Sequence, residues 1–508
     1  MDRKCILRRI MESAAALAVL TAFSGAANAQ SWEERCRQMT HLQLTGEDFI
    51  PSVREATPEI AGKEASAVPY CLVKVSVPTS INIWVGLPMA DKWNGRLQSL
   101  GGGGYAGTIS APVAAVLGGY VGVTTDTGHV GSDGSFAMKS PGVPNTQLQN
   151  DFAYRSVHLM AVVGKQVIQG FYGKPPAYSY WNGCSTGGRQ GLMMAQRYPA
   201  DYDGILAGAP AIHMDRFQPA QIWPQVVMAR EAGGPIAAEK LNAASAAAIE
   251  ACDTLDGVKD GVLEDPRACR FDPKGLVCSP SDSSESCLTP GEAEAVRRIW
   301  EGPKGHWYGL PPGTPFQMLA GPQPFMISVA HPRYWVYLDP EWDWRKLTYE
   351  NFGSYVEDSK RVVGPVLATD DPDLDAFRKR GGKLVMWHGW SDPGIMPEGS
   401  VDYYERVAKR DRSRYSRTQE FARLFMAPGV GHCSGGAGPQ PQGLFESVVK
   451  WVEQKQPPDT ILASKPLPDG GTRTRPLCPY PAVAVWKGSG STDDAANFRC
   501  QVPSKRAP

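Results

Sequence analysis

Apolar and polar residues alternate over Leu72–Val77 and again over Ile81–Leu87, where β-branched side chains recur; this period of two predicts a pair of strands. Gly95–Leu100 predicts another strand, running into the glycines at 101–104, and Tyr120–Thr124 reads as a buried one. Asp151–Phe171 has helical spacing. Tyr178–Trp181 then reads as a strand entering a glycine-rich turn, with a helix over Arg189–Arg197. Strand, turn and helix in this alternation argue for an α/β sheet.

A second block of the same character begins near Asp375. Lys383–His388 and Arg423–Ala427 read as strands, Val401–Lys409 and Leu444–Gln454 as helices. Between the blocks, over 212–369, the pattern changes. Four cysteines, a cluster of Asp and Gly, and six tryptophans (Trp223, Trp300, Trp307, Trp335, Trp342, Trp344) lie here without βα alternation. Long structureless loops are rare in compact domains, so this stretch is expected to be an inserted lid domain, with the tryptophans as its core. The organisation expected is a leader over 1–29, a first sheet portion over 30–211, the lid over 212–369 and a second sheet portion over 370–508.

Composition adds exclusions. The chain has 508 residues, 42% of them hydrophobic, which is ample for a large core and inconsistent with wholesale disorder. Lys plus Arg and Asp plus Glu stand at 52 each, so the basic excess that phosphate-backbone binding needs is missing and nucleic acid is not an expected partner. Arg3, Lys4, Arg8 and Arg9 precede the run Ala14 to Phe23, apolar except for Thr21, and Ala27-Asn28-Ala29 follows. That is the pattern of a cleaved signal peptide, and the run is too short to cross a hydrocarbon core of about 30 Å. The protein is expected to be secreted or periplasmic, without a membrane anchor.

Loss of the leader removes Cys5 and leaves ten cysteines, an even count that reads as disulfides in an exported chain. Pairing near neighbours gives Cys36–Cys71, Cys252–Cys269, Cys278–Cys287 and Cys478–Cys500, with Cys184 and Cys433 left over. Spacing alone does not fix that connectivity.

The candidate chemistry starts at Gly183-Cys184-Ser185-Thr186-Gly187, a G-x-S-x-G pattern set between a predicted strand and a predicted helix. Flanking glycines let a nucleophilic serine occupy a strained turn where side chains would clash. The α/β-hydrolase order requires an acid and then a histidine, each after a strand. Asp392 follows KLVMWH, and His432 follows RLFMA. His388 and His129 also sit beside glycines, and a plain role, hydrogen-bonding a loop, is assigned to both. The two leftover cysteines are the immediate neighbours of Ser185 and His432. A bridge between them, with Cα atoms about 5.5–6 Å apart, brings serine and histidine within reach. The glycines at 101–104 resemble an oxyanion loop, with Gly103 the first choice of donor, Gly104 the second, and Thr186 N–H the partner donor.

Within the insertion, Asp253, Asp256 and Asp260 surround Gly257 and Gly261. Hard oxygen ligands on tight turns suit Ca²⁺, although the spacing is not that of an EF-hand. Taken together, Gly-Cys-Ser-Thr-Gly-Gly-Arg at 183–189, Trp-His-Gly-x-x-Asp at 387–392 and Gly-His-Cys at 431–433 resemble the tannase/feruloyl esterase family, which includes mono(2-hydroxyethyl) terephthalate hydrolase. The resemblance spans about Cys36 to Cys500. It implies an α/β-hydrolase fold with a large inserted lid, and the same five disulfides. It also implies a structural calcium held by Asp253, Asp256 and Asp260 with the carbonyls of Val258 and Val262. The expected function is hydrolysis of small aromatic-acid esters by Ser185, Asp392 and His432, with no organic cofactor. A serine peptidase on the same fold, or a silent binding module, is the alternative.

Overall fold

The computed structural model describes residues 31–46, 50–279, 287–410 and 415–503. The expected leader over 1–29 lies outside the described residues. Nine strands form the main sheet: β1 (Ser52–Ala61), β2 (Val68–Val77), β3 (Ile81–Pro88), β4 (Arg96–Leu100), β5 (Val121–Thr125), β6 (Tyr178–Cys184), β7 (Gly204–Gly208), β8 (Lys383–Gly389) and β9 (Ala422–Ala427). Their order is β1-β2-β3-β5-β4-β6-β7-β8-β9. Pairing is antiparallel from β1 through β3 to β5 and parallel from β5 to β9.

Two strands escape the sequence patterns for physical reasons. β1 is an edge strand, largely polar and carrying Pro58, and it is mostly part-exposed. β7 reads GILAG, too short and too glycine-rich to stand out, yet every residue of it is buried. Two hairpins after residue 460, Ile461–Pro466 with Thr472–Leu477 and Val483–Trp486 with Phe498–Gln501, were also not foreseen.

Helices α1 (Ser156–Tyr172) and α2 (Thr186–Arg197) belong to the first portion of the sheet. The sheet is buried on both faces, and the period of two sorts its residues. Trp181, Ile205, Leu384, Met386 and Leu424 share a core with α1 and α2. The intervening Tyr180, Leu206, Val385, Trp387 and Phe425 share another with Val448, Trp451 and Val452. α2 lies against the sheet so closely that Gly191 is needed there: a Cβ would stand 2.5 Å from Trp181 Cδ1 and 2.9 Å from Ile205 Cγ2.

β7 and β8 are parallel neighbours, and the long connection between them is the insertion. It is helical, with α3 (Met214–Val227), α4 (Ala238–Cys252), α5 (Pro290–Glu301) and α6 (Tyr349–Val362). α5 begins at a capping box, Thr289 with Glu292, and has Pro290 in its first turn. The insertion's apolar core, including Trp223, Phe316, Trp335, Phe352 and Tyr355, is continuous with Tyr105 and Phe152 of the first sheet portion. Its base is narrow: Thr369 N–H donates to Ile212 C=O at 3.0 Å. α7 (Glu398–Arg410) and α8 (Leu444–Gln454) complete the sheet domain. This is an α/β-hydrolase fold carrying a large insertion.

All five expected disulfides are present: Cys36–Cys71, Cys184–Cys433, Cys252–Cys269, Cys278–Cys287 and Cys478–Cys500. Among the described residues no helix is long and apolar enough to cross a membrane.

Gly191→Ala tests the contact between α2 and the sheet. Alanine gains about 1 kcal/mol of helix propensity, whereas overpacking costs about 1–3 kcal/mol. The contact at Trp181 is short enough for the second effect to win, so the melting temperature should fall; an unchanged or higher value would show that the sheet yields there.

Candidate active site

Ser185 sits between the end of β6 and the start of α2 with φ 63° and ψ −124°. Its own N–H donates to Gly208 C=O at 2.9 Å, tying the turn to β7. Glycines make the turn possible. A Cβ on Gly183 would lie 2.5 Å from Gly187 O, and one on Gly101 would lie 2.5 Å from Gly187 Cα. The start of α2 and the glycine loop after β4 therefore meet backbone to backbone. Thr186 Oγ1 donates to Gly104 C=O at 2.6 Å, and Gly102 N–H donates to Gln190 Oε1 at 3.1 Å.

Those bonds bear on the oxyanion donors. The Ser185 and Gly102 N–H groups are committed within the protein. Thr186 and Gly104 line the same cavity as Ser185, whereas Gly103, the first choice from sequence, is not among its walls. Gly104 is thus the better placed of the two glycines.

Asp392 follows β8 and is fully buried. Its Oδ1 accepts the N–H groups of Gly394 and Ile395 at 2.8 and 2.9 Å. Its Oδ2 accepts from His432 Nδ1 at 2.7 Å and from His388 Nε2 at 3.0 Å. Burial works against the carboxylate, but the His432 charge and the imidazole hydrogen bonds outweigh it and hold Asp392 well below the usual carboxylate range. For His432 the balance runs the other way. Burial opposes its imidazolium, and the Asp392 charge and hydrogen bond overcome that penalty, so His432 lies above the ordinary imidazole value. With Nδ1 bound to Asp392, Nε2 is the nitrogen left for a reacting group.

His432 is brought to Ser185 by the bridge between their neighbours: Cys184 and Cys433 are 249 residues apart in sequence, with Cα atoms 6.0 Å apart. Cys433 itself has φ 63°. Ser185 and His432 both line a cavity of about 250 Å³. Its remaining walls include Met214, Phe217, Gln218 and Gln221 of α3, Met318, Phe325 and Ile327 of the insertion, and Ile395. None of the six tryptophans lines it. Trp223 and Trp335 are buried in the insertion's core and the other four pack partly against that core, in line with the core role expected for them.

His388 is where the sequence reading falls short. It bonds not a loop but Asp392, and the Trp-His-Gly-x-x-Asp spacing was the available signal. His129 does hold a loop, with Nε2 2.8 Å from Tyr105 O and its ring stacked on Phe136. Gln218 and Gln221 belong to no motif.

The acidic cluster lies where the insertion meets the C-terminal hairpins. Asp253 is buried and accepts Gly261 N–H at 3.0 Å. Asp256 Oδ1 accepts Val258 N–H at 2.9 Å, and burial with the nearby Asp260 charge pushes Asp256 up to about 6. Asp260 Oδ2 pairs with Arg475, while Asp260 Oδ1 is buried without a partner. Among the described residues no three Asp, Glu, His or Cys side chains form a metal cage by themselves. The orphaned oxygen and the crowding of carboxylates fit a bound cation, and the expected ligand set also includes backbone carbonyls. Val262, at the end of this loop, packs on Gly429, where a Cβ would meet Val262 Cγ1 at 2.4 Å.

A family model for tannase and feruloyl esterase matches residues 70–319 and 325–501. A probable feruloyl esterase from Arthroderma benhamiae is 37% identical over 522 residues, covering 95% of this chain and 97% of the relative. A mono(2-hydroxyethyl) terephthalate hydrolase from Piscinibacter sakaiensis is 31% identical over 89% of this chain and 88% of its own. The solved structure of feruloyl esterase B from Aspergillus oryzae matches with a TM-score of 0.82 at 27% identity, over 93% of this chain and 100% of the other. With a Ser, Asp and His on one α/β-hydrolase scaffold and likeness over nearly its full length, the chain belongs to the tannase and feruloyl esterase family of carboxylic ester hydrolases.

Proposed function

We propose that this protein is an exported serine esterase that cleaves esters of aromatic carboxylic acids through an acyl-enzyme. The observation that carries the reading is the shared apolar cavity on which Ser185 and His432 open, with His432 Nδ1 2.7 Å from buried Asp392. Ser185 Oγ attacks the ester carbonyl while His432 Nε2 takes its proton. Asp392 stabilises the imidazolium, and the N–H groups of Thr186 and Gly104 receive the oxyanion. The tetrahedral intermediate collapses, the C–O bond to the alcohol breaks, and His432 returns the proton to the leaving oxygen. Water, activated by the same histidine, then releases the acid.

An aromatic acyl group is supported by the walls. Phe217, Phe325, Met214 and Met318 line the cavity, and aromatic and sulfur–aromatic contacts to a ring are favourable. The relatives named a probable feruloyl esterase and a mono(2-hydroxyethyl) terephthalate hydrolase fall in this class. Export is supported by the five disulfides, which persist in oxidising compartments, and by the basic-then-apolar leader in the sequence. Calcium at Asp253, Asp256 and Asp260, with the Val258 and Val262 carbonyls, would neutralise a carboxylate cluster that one arginine pair does not balance.

Ser185→Ala should reduce kcat on methyl ferulate, methyl gallate and mono(2-hydroxyethyl) terephthalate by orders of magnitude, with an unchanged circular dichroism spectrum. Retention of more than about a tenth of wild-type kcat would remove Ser185 as nucleophile. Substrate ranking within that panel, beside a matched anilide, reads ester class against amide.

Chelation by EDTA should lower the melting temperature. A bound ion contributes RT ln(1 + [L]/Kd), about 2.7 kcal/mol at one hundred times Kd. A melting temperature that stays put while metal analysis shows the ion leaving contradicts the calcium reading.

The double replacement Cys184→Ala/Cys433→Ala should lose far more kcat than Cys478→Ala/Cys500→Ala, both compared while folded. A displacement of about 1 Å at reacting groups can cost about a hundredfold in rate. Equal losses would mean that the bridge beside the triad acts on stability alone.

A further inference from the structure

Asp392 serves two histidines through a single oxygen. His432 Nδ1 and His388 Nε2 both reach Oδ2, at 2.7 and 3.0 Å. His388 is wholly buried, and its other nitrogen, Nδ1, lies 2.8 Å from Ser400 Oγ at the start of α7. The tautomer follows from the partners. An ionised carboxylate only accepts, so a neutral His388 carries its proton on Nε2, and Nδ1 accepts the Ser400 hydroxyl. Along Ser400–His388–Asp392–His432 the donated hydrogen bonds therefore converge on Asp392 Oδ2 from both sides.

We propose that His388 is a positioning residue that sets the basicity of the Asp392–His432 pair. Each hydrogen bond a carboxylate accepts spreads its charge and weakens it as an acceptor for the next group. By sharing Oδ2, His388 limits how strongly Asp392 stabilises the His432 imidazolium. The surroundings leave this role to His388. On α7, Glu398 faces Arg267 and Asp402 pairs with Arg406. On β9 the residue opposite His388 is Met426, and from α3 Gln221 reaches the Gly394 carbonyl. The side chains that act on Asp392 are the two imidazoles, and the charge that acts on His432 is Asp392. The inference rests on the Ser185 mechanism proposed above.

The sign of the effect is fixed. Neutral His432 is the base, so kcat/KM falls as pH drops through its pKa. Removing the competing donor lets Asp392 favour the imidazolium more, which moves that acid limb to higher pH. In His388→Leu the limb should rise by about half a unit to one unit, with a lower plateau kcat. His388→Gln, whose amide N–H can reach the same oxygen, should return the limb toward wild type. A folded His388→Leu protein with an unmoved limb overturns the proposal, as does a limb that glutamine fails to restore. Should the leucine variant fail to fold, Ser400→Ala carries the test: it frees His388 Nδ1 and should move the limb the same way by less, and no movement overturns the proposal. Histidine-labelled NMR on Ser185→Ala keeps the two readings separable. Two imidazole N–H signals bound to a carboxylate are expected, one of them lost in His388→Gln, whether or not Ser185 is the nucleophile.

Discussion

Ser185 is held in a left-handed backbone conformation, which costs a residue with a side chain about 1–3 kcal/mol. The protein sustains it by surrounding the turn with backbone that has nowhere else to go. Ser185 N–H is bonded to β7, and Gly183, Gly187 and Gly101 touch where no Cβ fits. The same contacts place the start of α2 against the loop after β4. Thr186 at the helix start, Gly104 of the glycine loop and Ser185 therefore line one cavity. Placement of His432 by the Cys184–Cys433 bridge completes what the turn begins.

Asp392 shows how a fully buried charge can be maintained. Four donors, two backbone N–H groups and two imidazoles, saturate its two oxygens. Burial alone would protonate it; with those donors it remains the anion that raises His432. The acidic cluster in the insertion is the contrasting case. Asp260 has one oxygen on Arg475 and one oxygen orphaned, and Asp256 is driven toward protonation. One carboxylate is satisfied within the chain, and the other keeps an oxygen without a partner.

Much of this was readable in the residues. The strands that carry the triad are short apolar runs with glycine-rich ends, and Leu444–Gln454 was bounded to the residue because its apolar face repeats at helical spacing. Pairing near neighbours left Cys184 and Cys433 over without fixing the connectivity; the family resemblance implied all five bridges, and the structure holds them. The elements inside the insertion resisted because they are helices joined by long connections, so no alternation of strand and helix marks them. His388 resisted for a different reason. A histidine's role is set by what lies across from it, and Ser400 and Asp392 reach it through a helix start and a loop, not through spacing along a strand. The cavity walls are of the same kind: Phe217, Gln218, Gln221, Phe325 and Ile327 come from separate segments and meet only in three dimensions.

The narrow base of the insertion, where Thr369 bonds Ile212, has the geometry of a module that could be exchanged between scaffolds. The acidic loop argues otherwise. Arg473 and Arg475 of the C-terminal hairpin hold Asp260, and Val262 is pressed into the space that Gly429 leaves open, three residues before His432. The insertion is thus sewn to the scaffold at a further seam, which runs beside His432. A chimera that moves residues 212–369 alone would carry half of that seam and leave the other half behind. The unit that keeps these contacts whole is the insertion together with the hairpin at 461–477 and the loop that carries His432, so the walls of the cavity and the placement of His432 are inherited as one piece.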